Sequence, residues 1–231
     1  MNAIHAGTAE LRGDEARHLS RVLRAAPGQV YEISDNKSAH VAEIVEARPD
    51  RVVFRILEPI ASPPPPVGIT LCAALIKFDR FEWIVEKATE LGVDRIVPVE
   101  AARSEKGLFE ASRKRAERWV RIARESSEQS RRVSVPEIVP AVRLDGALAV
   151  AANYRYFLDE AEAPPIVACL PGRRQSSDRL AVLLGPEGGW TDAERQSAAA
   201  AGWQPVSLGK QILRAETAAV AVLATLTTLW P

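Results

Sequence analysis

Four prolines in a row, Pro63 to Pro66, follow Ser62 and split the chain into two stretches with different repeat patterns. Proline fixes φ and has no N–H, so the run is a stiff, extended connection that neither a helix nor an inner strand can include. The break predicts two domains, residues 1–61 and 67–231, joined by a linker at 62–66. Before the break, "QVYEISD", "AHVAEIVEA" and "DRVVFRILEPI" alternate apolar and polar residues, with "SDNK" as a turn. That period of two predicts a small β-rich, barrel-like unit. Ahead of it, "DEARHLSRVLR" reads as a short amphipathic helix. Its spacing turns Leu19, Val22 and Leu23 inward and puts Arg17, Arg21 and Arg24 on another face.

After the break, strands and helices alternate. "GITLCAALIK", "RIVPVEA", "YRYFLDE", "RLAVLLG" and "QPVSLG" read as strands. Between them, "DRFEWIVEKATELG" carries Phe81, Ile84, Val85, Ala88 and Leu91 on one helical stripe, with Gly92 as a stop. One long basic helix is expected from about Glu110 to Ser130, and another helix ends in "ALAVAA". "TDAERQSAAAAG" has Thr191 and Glu194 spaced as a capping box and Gly202 at its end. A last helix starts near Ala215. Such alternation implies an α/β fold with a parallel sheet, and the short apolar "RLAVLLG" suits its centre.

Composition excludes several classes. No stretch approaches the ~20 apolar residues of a membrane span. No charged-then-apolar leader opens the chain, which predicts a cytoplasmic protein. Cys72 and Cys169 sit in apolar surroundings and read as buried packing residues, and His5, His18 and His40 are scattered, so no metal site is expected. The 30 basic and 30 acidic residues balance overall. From Arg103 to Arg132, however, ten basic residues face five acidic ones. A basic stripe on a neutral protein suggests a defined anionic partner. Lys114, Arg118 and Arg121 share a face there at i, i+4, i+7, and Arg131 and Arg132 follow. Such a run is either a solvated face with pairs such as Glu117–Arg121 or, with Arg17, Arg21 and Arg24, a surface for RNA phosphates.

Two loops draw most interest. "LLGPEGGW" lies between an apolar strand and a capped helix, where open parallel sheets place ligands. Gly185, Gly188 and Gly189 miss the dinucleotide spacing, and Glu187 would repel a phosphate. Spacing alone leaves a plain turn and a ligand loop equally open. In "SLGKQILRAETA" the pair Gly209–Lys210 suggests a phosphate loop, but the upstream glycine is Gly202 and Gln211 follows the lysine. The phosphate-loop pattern fails on both counts. What remains is a loop ending at a helix N-terminus, with Ile212 and Leu213 as an apolar wall and Glu216 and Thr217 as capping groups. Arg214 reads as either a salt-bridge partner or a ligand group.

At these residues the chain resembles the SPOUT-class methyltransferases, and within them the small-subunit ribosomal RNA uridine-N3 methyltransferases. "HLSRVLRAAPGQ", "EKATELGVDRIVPV", "ESSEQSRRVSVPEI", "LLGPEGGWTDAE" and "SLGKQILRAETA" match that family's segments in order, across nearly the whole chain. "SDNK", where the family often has Asp-Gly, and "ESSEQS" depart mildly.

The resemblance implies a PUA-like N-terminal RNA-binding domain. It further implies a C-terminal trefoil-knotted α/β domain that binds S-adenosylmethionine, and a homodimer. Knots are almost absent from folds, and no periodicity points to one. The cofactor residues it implies are Leu184, Gly185, Pro186, Glu187, Gly188 and Gly189 in one loop. In the other they are Ser207, Leu208, Gly209, Ile212, Leu213, Arg214, Thr217 and Ala218. Arg214 takes an orienting or charge-stabilising role and Glu216 a capping or base role. Small-subunit ribosomal RNA is the implied partner, through Arg17, His18, Arg21, Arg24, Lys114, Arg118, Arg121, Arg131 and Arg132. The alternatives are another RNA position, a ribose 2′-hydroxyl or transfer RNA, and a ribosome-assembly factor that binds without catalysis.

Overall fold

The structure, a computed structural model, describes residues 7–61 and 67–230, so the proline linker expected at 62–66 lies outside the described residues. The chain divides into two compact units, Met1–Pro64 and Pro65–Pro231.

The first unit runs β1 (Thr8–Arg12), α1 (Gly13–Arg17), a π-helical turn (His18–Val22), β2 (Val30–Ser34), β3 (Ala39–Arg48) and β4 (Arg51–Ile60). The strands pair antiparallel in the order β1-β4-β3-β2. β1 and β2 are the two edges of this row, so the pairings show an antiparallel sheet where the sequence predicts a barrel-like unit. The β2–β3 turn forms as the sequence suggests. Asp35 Oδ1 accepts the Lys37 and Ser38 N–H groups, and Asn36 takes a φ of +76°. Val52 and Phe54 of β4 alternate into a core with Ile33, Ala42 and Ile44.

One expectation fails in this unit. Val22 and Leu23 do not face inward; they are 64% and 55% exposed, and Ala16 and Ala25 are buried instead. The reason is the winding. After Arg17 the chain continues as a π-turn, with Leu23 N–H bonded to the His18 carbonyl. That widens each turn and moves positions 22 and 23 off the stripe that α-helical spacing assigns them. Arg24 then leaves the turn with a φ of +52°, so Arg17, Arg21 and Arg24 do not share a helix face.

The second unit contains β5 (Gly68–Ala74), α2 (Phe78–Glu90), β6 (Arg95–Glu100), α3 (Leu108–Ser112), α4 (Ala116–Gln129), β7 (Glu137–Ile138) and β8 (Val142–Arg143). It continues with α5 (Leu144–Leu148), β9 (Tyr154–Leu158), α6 (Ile166–Cys169), β10 (Arg179–Leu184), α7 (Asp192–Ala200), β11 (Gln204–Val206) and α8 (Ala215–Leu229). All pairings are parallel, in the order β11-β9-β10-β5-β6-β7, with β8 also against β6. β10 is central, as its unbroken apolar run requires. Alternate side chains of β5 serve the two faces. Ile69 and Leu71 join one core cluster with α2, α4 and α8, while Cys72 and Ala74 join another with α5 and α7. Burial pushes the Cys72 thiol up to about 12, so it is inert at neutral pH. Cys169 is a free thiol too but only half-buried, against the expectation that both cysteines are enclosed.

The long basic helix is two helices. Residues 113–115 form a turn between α3 and α4, closed by Lys114 N–H to Ala111 and Arg115 N–H to Ser112. Ser112 is buried and its hydroxyl donates to the Phe109 carbonyl at 2.6 Å, the back-bonding by which serine competes with a continuing helix. Lys114 therefore lies outside the face that Arg118 and Arg121 share. Among the described residues no helix is long and apolar enough to cross a membrane.

Candidate functional site

Three adjacent strands, β11, β9 and β10, end together at the carboxyl edge of the sheet, and a cleft opens there. Its cavity is about 130 Å³ and it is open to solvent on one side. β9 delivers Leu158, Asp159 and Glu160. β10 delivers Leu184, Gly185, Pro186, Glu187, Gly189 and Trp190. The segment after β11 delivers Leu208, Gly209, Lys210, Gln211, Ile212 and Leu213, and α8 adds Ala215 and Ala218. The two glycine loops of the sequence thus face one another across a single cleft. Gly188, Ser207, Arg214 and Thr217 adjoin it without lining it. Leu158, Asp159, Glu160, Trp190 and Ala215 line it without a role in the sequence reading, and Lys210 and Gln211, which enter that reading only to test a phosphate loop, line it too. The signal for the first three was "FLDE" at the end of a strand in a parallel sheet, the position where such folds place ligands.

The β10–α7 loop is anchored from several directions. Trp190 Nε1–H donates to the Leu158 carbonyl at 2.9 Å, and its ring packs on Phe157 at 4.9 Å. Gly185 is needed for this approach, because a Cβ there would lie 2.8 Å from Trp190 Nε1. Gly189 has a φ of +67°, a backbone that disfavours any side chain, and the Glu160 carboxyl lies against it. Arg103 Nη1 donates to the Gly188 carbonyl at 2.7 Å, and Arg80 of α2 forms an ion pair with Glu187. The expected capping box is present, with Thr191 and Glu194 exchanging hydrogen bonds. Buried Glu194 also accepts the Ala102 N–H at 2.7 Å, joining this loop to the end of β6. Arg195 Nε and Nη2 hold both oxygens of Asp159 at 2.8 and 3.0 Å, and Arg195 Nη1 donates to the Trp190 carbonyl at 2.9 Å. Burial alone would raise the Asp159 carboxyl, but Arg195 and nearby backbone N–H groups outweigh it and hold it below the usual carboxylate range.

The β11–α8 loop is built differently. Among the described residues, none of the backbone N–H groups from Leu208 to Leu213 donates to another backbone or side-chain group. Free main-chain donors along a cleft wall are what a heterocycle edge or a carboxylate requires. Leu213 is half-buried, but Ile212 is 82% exposed and forms the lip of the cleft; the expected packed wall is Leu213 alone. Neither Glu216 nor Thr217 caps α8. Arg214 occupies the N-cap with extended backbone, and no side chain accepts there. The helix begins at Ala215, so only residue 214 could cap it, and arginine has no acceptor. Among the described residues, Glu216 Oε2 is buried with no hydrogen-bond partner.

The basic residues are arranged less uniformly than their count suggests. In the first unit, Arg17 is paired with Asp14, while His18, Arg21 and Arg24 are exposed. In the second, Arg118 Nε donates to Glu82 at 2.7 Å, and Arg121 lies 3.9 Å from Glu125, not against Glu117. Arg131 has a φ of +56° at the exit of α4. Arg132 turns inward, and its Nη1 donates to the carbonyls of Thr89 and Val93 at 2.7 and 2.9 Å. It satisfies the carboxyl end of α2, a task that the charge count cannot reveal.

Comparison with known proteins places this geometry. The sequence model of the RNA methyltransferase domain matches residues 63–227. A ribosomal RNA small subunit methyltransferase E from Synechocystis is 32% identical over 96% of this chain and 73% of its own length. The Bacillus subtilis protein of that name is 30% identical over 92% of this chain and 87% of its own. Among solved structures, the Neisseria gonorrhoeae methyltransferase E bound to S-adenosyl methionine superposes with a TM-score of 0.87 at 33% identity. It covers 99% of this chain and 95% of that one. Matched by the domain model over residues 63–227 and in sequence and fold across nearly its whole length, the chain belongs to the ribosomal RNA small subunit methyltransferase E family.

Proposed function

We propose that this chain transfers a methyl group from S-adenosylmethionine to N3 of uridine in small-subunit ribosomal RNA. The observation that carries the reading is the make-up of the cleft. Its lining has three carboxylates, Asp159, Glu160 and Glu187, against one basic residue, Lys210. Arg195 and Arg80 pair with Asp159 and Glu187, so among the described residues the cleft carries no basic cradle for a phosphate, while carboxylate oxygens remain along its wall to meet a sulfonium. Leu158, Leu184, Leu208 and Leu213 supply apolar walls for a heterocycle, and the free N–H groups of the β11–α8 loop supply its edge contacts. The residues therefore fit S-adenosylmethionine. Bound there, it supplies an electrophilic methyl group.

The chain's own work is to position the acceptor and manage charge. Uridine N3 loses a proton as it is methylated, so negative charge develops on the uracil ring. Arg214, exposed at the start of α8 beside the lip of the cleft, stabilises that charge. Glu216, with an unpartnered buried oxygen two residues on, serves as base or orients the arginine. In the same reading the first unit is a PUA-like RNA-binding domain. The second is a trefoil-knotted SPOUT domain that acts as a homodimer in the cytoplasm. Exposed His18, Arg21 and Arg24 are free to meet RNA.

Mass spectrometry of ribosomal RNA from a strain lacking this protein tests the reading, since 3-methyluridine should disappear. An unchanged signal sinks it, and loss of a ribose-methylated or transfer RNA nucleoside instead redirects the substrate. Within the purified enzyme, Arg214→Ala should lower methyl transfer about ten-fold with cofactor affinity unchanged, as expected for one exposed charged hydrogen bond. A full rate in that variant removes Arg214 from the mechanism.

A further inference from the structure

We infer that Glu160 is the residue by which the cleft distinguishes the sulfonium cofactor from its thioether product. The inference rests on the functional reading above. Of the three carboxylates in the lining, two are neutralised by arginines. Asp159 is held by both donors of Arg195, and Glu187 is paired with Arg80. Glu160 has no ion-pair partner among the described residues. Its carboxyl lies over the Gly189 backbone, where a Cβ would come within 2.9 Å of its Cδ, so it faces the cleft from the β9 side.

The chemistry of the two ligands isolates what such a group does. S-adenosylmethionine and S-adenosylhomocysteine share the adenosine and the amino-acid tail. They differ by one methyl group and one positive charge on sulfur. A sulfonium carries no N–H or O–H to donate, so its charge is read through space, by lone pairs and most strongly by a nearby uncompensated anion. The fields of Asp159 and Glu187 are offset by their arginines. Glu160 keeps its own, and replacing Gly189 with a larger residue would displace it. A cleft that holds the cation more firmly than the neutral thioether also releases product after transfer.

Because Glu160 is exposed, solvent limits the effect to a few-fold. Isothermal titration of both ligands into wild-type protein and Glu160→Gln, at low and high salt, provides the test. The preference for S-adenosylmethionine should fall about five-fold in the variant, almost all from weaker cofactor binding. In the wild type it should shrink as salt rises. Equal weakening of both ligands would show that Glu160 reads the shared ammonium group or merely supports the Gly189 loop, and would overturn the inference. So would an unchanged ratio. Wild-type protein that binds neither ligand would instead overturn the functional reading, and this inference with it.

Discussion

Arg195→Ala destabilises the C-terminal unit by about 3 kcal/mol at neutral pH, as expected when a buried carboxylate loses its partner. The Asp159 side chain is 6% exposed and receives both guanidinium bonds. Alanine leaves that charge buried and unpaired, and frees the Trp190 carbonyl as well. The double variant Asp159→Asn/Arg195→Ala should recover roughly half of the loss, because it removes the stranded charge. The pH dependence has a fixed sign. Asp159 is held below its ordinary value in the folded protein, so the pair's contribution is complete above about pH 4, the unfolded Asp range, and is lost as pH falls through the lowered folded value. In Arg195→Ala burial is opposed only by the backbone N–H groups of Glu160 and Ala161, so the carboxyl rises and acidification costs that variant less stability than it costs the wild type. Urea unfolding at neutral and acid pH measures both. Equal stability of wild type and variant at neutral pH would show that Arg195 is not what holds Asp159.

This pair also shows where the sequence is legible. The Thr191–Glu194 capping box and the Gly92 and Gly202 stops are local devices, written within a few residues, and all appear where the spacing puts them. "RLAVLLG" announces a central parallel strand because burial on both faces leaves no polar alternation. The two glycine loops were visible for the same local reason. Asp159 and Glu160 are less legible: "FLDE" ends a strand, but its place in the site depends on β9 pairing beside β10, which begins only at Arg179. Nothing near "FLDE" encodes Arg195, which completes Asp159 from the far side of a loop and a helical turn. Charge counting failed most where an arginine has a private task. Arg132 reads as part of a basic patch until α2 is seen to end against it, and Arg118 until Glu82 is seen beneath it. Hydrophobic spacing failed where the winding changed, at the π-turn after Arg17 and the break at Ser112.

Gly185→Ala should be the single methyl group that does the most damage to the cleft. A Cβ at this position lies 2.8 Å from Trp190 Nε1 and 2.9 Å from Cε2. The ring cannot yield easily: Trp190 is 1% exposed, packs on Phe157 and donates to the Leu158 carbonyl. If the ring moves, the indole N–H is stranded in the core; if the loop moves, Pro186 and Glu187 leave the positions that shape the cleft wall. Overpacking and a lost buried hydrogen bond together cost about 3 kcal/mol. For a chain of this size that is a fall in melting temperature of about 8 °C. Affinity for S-adenosylmethionine should drop by about 30-fold or more, because the wall it needs is then displaced or only fractionally populated. Trp190→Phe supplies the control. Phenylalanine still places ring carbons near those positions, so the control is read in Trp190→Ala as well, where the ring is gone and the same Gly185→Ala change should cost about 1 kcal/mol or less. If Gly185→Ala is equally harmful in the wild type and in Trp190→Ala, the glycine is required for its backbone alone and the indole contact does not set the shape of the cleft.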